Sequence, residues 1–498
     1  MKRPRAPLLA LGFAAGLLVP PAAAAAEGSH EHHPAASEIQ ALIDAASPGD
    51  VVHVEPGMYH GNLVVDVPVT LHGMGRPLIQ GDGTGSVITV TAPGVVVSGL
   101  RIRGSAPGPV GGPSGVRIEA GATGAVVRDV VIEESYYGIA VFGTEGVQLL
   151  GNTVRGRAQA AIGDEGHAVD PDADEGAGHD EHAAGPGVFS RGDGISLWHA
   201  RDVLVRGNDI ASSRDGVFVS FGRNTLIDGN RVADSRYAVH SMFAEGLTIS
   251  ANHFEANLSG AVLMYGGRVL LLRNQIRDSH SPSTGFGVLL KDVEEVQVAE
   301  NVVTGNRVGI QVDGPPVGAP GEIRIFRNTV ALNGAGVSLY PSTHATFFAN
   351  SFVENTVQVA AQGSGVAGKN AWSFEGVGNY WSDYRGYDLA GEGVGDMPYA
   401  SGRSVEVLLR RAPVLEALAS GPAFGLLGAV ADRWVERDPI VVDRLPLMRP
   451  VSPAAATPSS ATAAGLLGAL GLGGLVAAGL AVAAIRRPLG PGRARRGV

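Results

Sequence analysis

His240, Met242 and Met264 offer one imidazole and two thioethers at steps of 2 and 22 residues. That donor set suits copper(I) and is a poor one for calcium or magnesium. Two methionines packed under a loop give the same spacing. Two further tracts mix imidazole with carboxylate. One holds Glu27, His30, Glu31, His32 and His33. The other, residues 164–182, holds eight carboxylates with His167, His179 and His182. Such tracts bind copper, zinc or nickel loosely, and they are also ordinary solvated loops. Asp388, Glu392 and Asp396 stand four apart among glycines, a calcium-like spacing, although Ala390 sits where another acid would help complete an oxygen shell. A plain structural turn accounts for that segment equally well. Asp193 and Asp215 each precede a glycine, 22 residues apart. Stacked on neighbouring turns of a repeat, they would couple as an acid–base pair for glycosidic chemistry. They also fit local turn caps, and no Asp-Asp, Asn-Thr-Asp or Arg-x-Lys cluster joins them.

Composition removes other chemistries. None of the 498 residues is cysteine, which excludes disulfides, thiolate metal sites, iron–sulfur clusters and cysteine nucleophiles. No P-loop is present, which removes P-loop ATP hydrolysis from this chain. Eight of the 38 basic residues lie in residues 1–26 and 486–498, leaving 30 basic against 48 acidic groups between them. A body that acidic is a poor nucleic-acid binder. The 72 glycines disfavour long helices and favour many turns.

What must position the candidate ligands is a repeat. Asn152, Asn208, Asn230, Asn252, Asn274, Asn301, Asn328 and Asn350 recur at steps of 56, 22, 22, 22, 27, 27 and 22. In phase with them, a small residue opens an alternating apolar run at Gly138, Gly194, Gly216, Ala238, Gly260, Gly287, Gly309 and Gly336. Short β-branched runs split by Gly, Asn or Asp predict an all-β fold, a right-handed parallel β-helix of about 22 residues per rung. Rungs stack about 4.8 Å apart, so the Asn column is read as a structural amide ladder. Counted from the small residue, places one and three point inward and places two and four outward. Place four reads Phe142, Trp198, Ser220, Met242, Met264, Lys291, Asp313 and Tyr340, with His240 outward at place two. Large side chains in that row, with Phe142, Trp198, Lys291 and Tyr340 among them, predict a partner-facing stripe. The β-helix is expected over residues 49–377, with a loop insertion over 156–190. A capping helix over residues 37–46, N-capped by Ser37, should close its first rung.

The ends read as addresses. Residues 1–26 have a basic start, an apolar stretch and small residues, the pattern of a cleaved secretory signal, and residues 27–48 hold the His-rich segment and capping helix. Residues 378–450 break the repeat; their aromatics suit a plug for its open end, and residues 405–418 and 424–435 have amphipathic helical spacing fit for docking on a membrane partner. Residues 451–462 read as a linker and the uncharged residues 463–485 as a transmembrane anchor or sorting tail. The basic residues 486–498 then lie in the cytoplasm and the body outside it.

The run Tyr237-Ala-Val-His-Ser-Met-Phe, the runs Val262-Leu-Met-Tyr and Gly287-Val-Leu-Leu-Lys, the segment 378–399 and the tail Val442-Asp-Arg-Leu-Pro-Leu-Met together resemble the NosD family. These are periplasmic maturation factors of nitrous oxide reductase. The resemblance covers roughly residues 37–450, and the tail is its most specific part. It implies no catalysis. It implies an extracytoplasmic part of an ABC transporter complex with a permease and an ATPase. That complex works with a copper chaperone lipoprotein to build the copper–sulfur centre of the reductase. Copper contact would be transient and no cofactor tightly bound. The C-terminal anchor and both His-rich tracts lie outside the family's pattern.

Overall fold

The computed structural model describes residues 35–157, 191–281, 283–314, 321–362, 368–401 and 439–451. Over these the chain winds into a parallel β-helix. Successive strands are dealt in turn to three parallel sheets of 12, 13 and 12 strands. The first sheet runs from Val51–Val54 to Ala345–Phe348, the second from Met58–His60 to Tyr380–Trp381, and the third from Leu63–Val65 to Val357–Ala361. Every neighbouring pair in a sheet comes from consecutive rungs.

The inward columns are apolar, as the alternation requires. In the third sheet Val217, Val239, Ala261, Val288, Ile310, Val337 and Val359 stand in register and are wholly buried. One correction concerns the outward row. Ser220, counted as outward, does face away from the core, yet it is only 4% exposed. Outward in this sheet is therefore not the same as solvated.

The asparagine column is the strongest polar feature. The Asn208 backbone N–H and side-chain amide both donate to Asn230 Oδ1 at 2.9 Å, and the amide also donates to the Leu149 carbonyl at 3.0 Å. The same pattern carries through Asn252, Asn274, Asn301 and Asn328 to Asn350 and on to Asn379. The residue before each Asn is left-handed, with φ of 53–61° at Gly151, Ala251, Arg273, Glu300, Arg327 and Ala349. That turn sits between the first and second sheets, and the buried amides satisfy its backbone groups. A second column, Asn257, Asn306, Asn333 and Asn355, was not singled out in the sequence. Asn306 donates to Asn333 at 2.9 Å and Asn333 to Asn355 at 3.0 Å through their backbone N–H groups.

Both ends of the solenoid are closed. The helix Ala36–Ala45 buries Ala36, Ile39 and Ile43 on the first rung. Its N-cap is Ala35, without a side-chain hydrogen bond; Ser37, the expected cap, lies inside the first turn. Gln40 instead pairs its amide with both backbone groups of Val64 on the edge strand, at 2.9 and 3.0 Å. At the other end Trp381 stacks between Phe352 at 4.5 Å and Tyr399 at 4.3 Å. Tyr399–Ser401 and Val441–Asp443 then pair antiparallel. The buried Asp443 carboxylate terminates the asparagine ladder, accepting from the Asn379 N–H at 2.7 Å and Trp381 Nε1 at 3.0 Å. Burial pushes the Asp443 carboxyl up from its ordinary value, and those donors oppose the shift. The expected docking helices at 405–418 and 424–435, residues 158–190 of the expected insertion at 156–190, and the anchor at 463–485 lie outside the described residues. Among the described residues no helix is long and apolar enough to cross a membrane.

Val219→Asp, which buries a charge in an inward column, should cost about 3–5 kcal/mol. Gln275→Glu, at an exposed position, should cost less than about 0.5 kcal/mol and serves as the outward control. Asn252→Ala strips acceptors from Asn230 and should cost about 1–3 kcal/mol. Chemical denaturation of the three variants checks the order.

Candidate functional site

The third sheet's outward face carries the thioether–imidazole set. Asp215–Ser220, Tyr237–Met242 and Ser259–Met264 are consecutive strands, and Met242 pairs directly with Met264. Alternation turns Val239 and Ser241 inward and leaves His240 and Met242 on the outer face. Both methionines are half-buried; His240 is 9% exposed. Its ring lies 5.0 Å from Phe218 and 5.1 Å from Tyr237, centroid to centroid. Trp198 extends the cluster, 5.3 Å from Phe218. Met264 packs on a second outward group of Val262, Phe286, Leu289 and Val308.

The imidazole is held from behind. His240 Nδ1 lies 2.9 Å from Asp215 Oδ2. A buried carboxylate there accepts the Nδ1–H of the neutral ring and leaves Nε2 as the nitrogen with a free lone pair. Asp215 is itself gripped by Arg236, whose Nε and a terminal nitrogen each donate at 2.8 Å. Burial pushes the Asp215 carboxyl up, but Arg236 and the hydrogen bond with His240 outweigh it and hold it well below the usual carboxylate range.

Asp193 repeats this arrangement one rung earlier. Arg214 donates to it at 2.9 and 3.2 Å and Ser196 Oγ at 3.0 Å. The Asp193 charge raises the Arg214 guanidinium against its burial. The two aspartates therefore do not form the coupled acid–base pair that their spacing allowed. Each is fully enclosed and paired with an arginine from the next turn. The spacing of Arg214 and Arg236, also 22, was the signal that would have revealed it.

The remaining candidates separate. Phe142 pairs in register with Trp198 and lies under the Arg117 guanidinium at 4.1 Å. Lys291, 6% exposed, stands between Met264 and Asp313 in the same row. Tyr340 is half-buried just past the strand Ala335–Leu339. The Asp388 carboxylate accepts backbone N–H groups from Gly391, Glu392 and Gly393 at 2.7–3.1 Å, and Asp396 accepts one from Leu389 at 2.6 Å. Among the described residues no three His, Asp or Glu side chains gather as a metal site. His30, His32, His33, His167, His179 and His182 lie outside the described residues. The sequence reading also passed over a ring stack at place five, His199, Phe221, Phe243 and Tyr265, although these too recur every 22 residues.

Asp215→Asn removes the enclosed charge that pairs with the half-buried Arg236 and should cost about 1–3 kcal/mol at neutral pH. Because the folded-state pKa of Asp215 lies below the unfolded one, its stabilisation is complete above about pH 5 and falls away as pH drops through 4 and below. Melting curves from pH 7 to 3 should show that loss in the parent chain and a shallower one in the variant.

The model of a family described as "Periplasmic copper-binding protein (NosD)" matches residues 178–386. A Pseudomonas aeruginosa protein named "Probable ABC transporter binding protein NosD" is 33% identical over 409 residues, covering 79% of this chain and 87% of its own. A protein of the same name from Stutzerimonas stutzeri is 31% identical over 403 residues, covering 79% and 85%. Among solved structures, a GH87 α-1,3-glucanase domain covers 66% of this chain and 64% of its own at 9% identity and a TM-score of 0.47. The periplasmic alginate epimerase AlgG covers 65% and 82% at 14% identity and a TM-score of 0.38. Likeness that distant carries nothing about chemistry. Identity of about a third along most of both sequences does establish kinship, and the chain belongs to the NosD family.

Proposed function

We propose that this chain is a non-enzymatic, extracytoplasmic assembly factor that helps deliver copper to nitrous oxide reductase. The observation that carries the proposal is the in-register row of Met242 and Met264 beside His240, with Asp215 fixing the imidazole. Copper here is cargo. One imidazole and two thioethers on a half-covered outer face suit copper(I) held briefly and passed on by ligand exchange. The naming of relatives as ABC transporter binding proteins supports a permease and its ATPase as partners. A copper chaperone lipoprotein would load the row, and the apo-reductase would receive from it. The acidic His-rich tracts at 27–33 and 164–182 would add weak copper(II) capture. Enclosure of Asp193 and Asp215 in arginine pairs leaves them unfit as exposed acids, which disfavours the carbohydrate-active alternative.

The segment between Tyr399–Ser401 and Val441–Asp443 leaves and returns at one antiparallel pair. It is the proposed permease contact. A deletion must spare residues 439–451, because Asp443 terminates the asparagine ladder. Removing residues 404–437 should leave the β-helix folded, abolish co-purification with the permease, and yield reductase without its copper–sulfur centre. Fully metallated, active reductase from that strain would contradict the assembly role of this segment. Calorimetric copper(II) titration with and without residues 164–182 should show fewer weak sites in the shorter chain, which keeps only the 27–33 tract.

A further inference from the structure

The turn that leaves the third sheet carries the ring stack. His199, Phe221, Phe243 and Tyr265 all have left-handed backbone, with φ of 50–54°. Bulky residues are strained there, so the stack is held against a local preference. Ring centroids are 4.8, 4.9 and 5.2 Å apart with interplanar angles of 5°, 12° and 18°. One face of each ring is therefore covered by the next.

Upstream the stack stops abruptly. The same position on the rung before His199 is Gly143, φ 58°, whose N–H donates to the Trp198 carbonyl at 2.9 Å. A side chain begun at Gly143 would meet only the Ala120 Cβ, at 3.7 Å, from the rung before that. Two rungs in succession thus leave out the ring, and the outer face of His199 looks into a slot of about 320 Å³. Its rim is polar. Thr123, Thr144, Glu145 and Arg201 line it. Thr144 is 4% exposed, and its Oγ1 is buried without a hydrogen-bond partner. Glu145 and Arg201 stand on adjacent rungs, both exposed.

We infer that this slot binds a saccharide ring laid with its C–H face on the His199 imidazole. A flat ring continues the stack at the vacant place. The carboxylate, guanidinium and hydroxyl around it supply both donors and acceptors for ring hydroxyls. An aromatic side chain would fill the same slot but leave the Thr144 hydroxyl buried and unpaired. The site lies on the turn beyond the thioether row and is independent of the copper role.

Saturation-transfer NMR on the full chain tests this, with cellobiose, maltose and diacetylchitobiose as probes and N-acetyltyrosinamide as the competitor class. At least one disaccharide should show transfer to its ring C–H protons. Gly143→Phe adds a fifth ring to the stack and should abolish that signal, whereas Gly143→Ala, whose Cβ fits, should keep it. Thr144→Val should weaken binding by about fivefold or more, the value of one hydrogen bond to a buried hydroxyl. If Gly143→Phe fails to fold, His199→Ala, which removes the platform, and Thr144→Val decide the matter by the same loss. Transfer from none of the three disaccharides, or transfer unchanged in the folded variants, overturns the proposal. Transfer only from N-acetyltyrosinamide, lost in Gly143→Phe, also overturns it and gives the slot to an aromatic side chain of a protein partner.

Discussion

A buried asparagine amide at the turn between the first and second sheets sets the height of every rung. Its Oδ1 accepts two donors from the rung before it, and its own amide reaches the rung after it. Dislodging one member leaves buried donors unpaired, so the column tolerates little slippage. The extra residues of the longer periods are accordingly accommodated elsewhere. Between Asn274 and Asn301 they fall in the segment after Gln275–Arg277, and between Asn301 and Asn328 they fall after Val308–Asp313. The third sheet therefore keeps its register across both, and the outward row stays aligned.

That alignment is what makes chemistry available on a fold built from structural repeats. Met242 and Met264 meet because their strands are paired without offset. His240 shares their face through the period of two, and its ring is aimed by Asp215 one strand away. The arginine grip on Asp215 and Asp193 places charge beside the row while keeping both carboxylates closed to solvent. What remains outward around His240 is soft: thioether, imidazole and aromatic carbon. Such a surface favours a soft metal passed between proteins over bond-breaking by exposed acids.

Much of this was legible in sequence. The asparagine column, the inward valine and isoleucine places, and the outward placing of His240, Met242 and Met264 all follow from periods of 22 and 2. Periodicity identifies columns, but it does not say which side chain of one rung reaches which of the next. Hence Arg214 and Arg236 were missed as the partners of Asp193 and Asp215, and an acid–base pair stayed open beside local turn caps as a reading of the aspartates. Ser220 shows the same limit: its face was right and its exposure was not, because neighbouring large outward residues shield it. Ser37 looked like a cap by type, yet the helix begins one residue earlier, and Gln40 meets the edge strand instead. Asp443 lies 64 residues from Asn379, a distance over which no local pattern predicts that it ends the ladder.

X-ray absorption on the copper(I)-loaded full chain interrogates the metal directly. A row of His240, Met242 and Met264 predicts one nitrogen at about 2.0 Å and two sulfurs at about 2.3 Å from copper, with the sulfur shell lost in Met242→Leu with Met264→Leu. A shell of nitrogen and oxygen alone, or a sulfur shell that survives the double substitution, would contradict copper handling by this face.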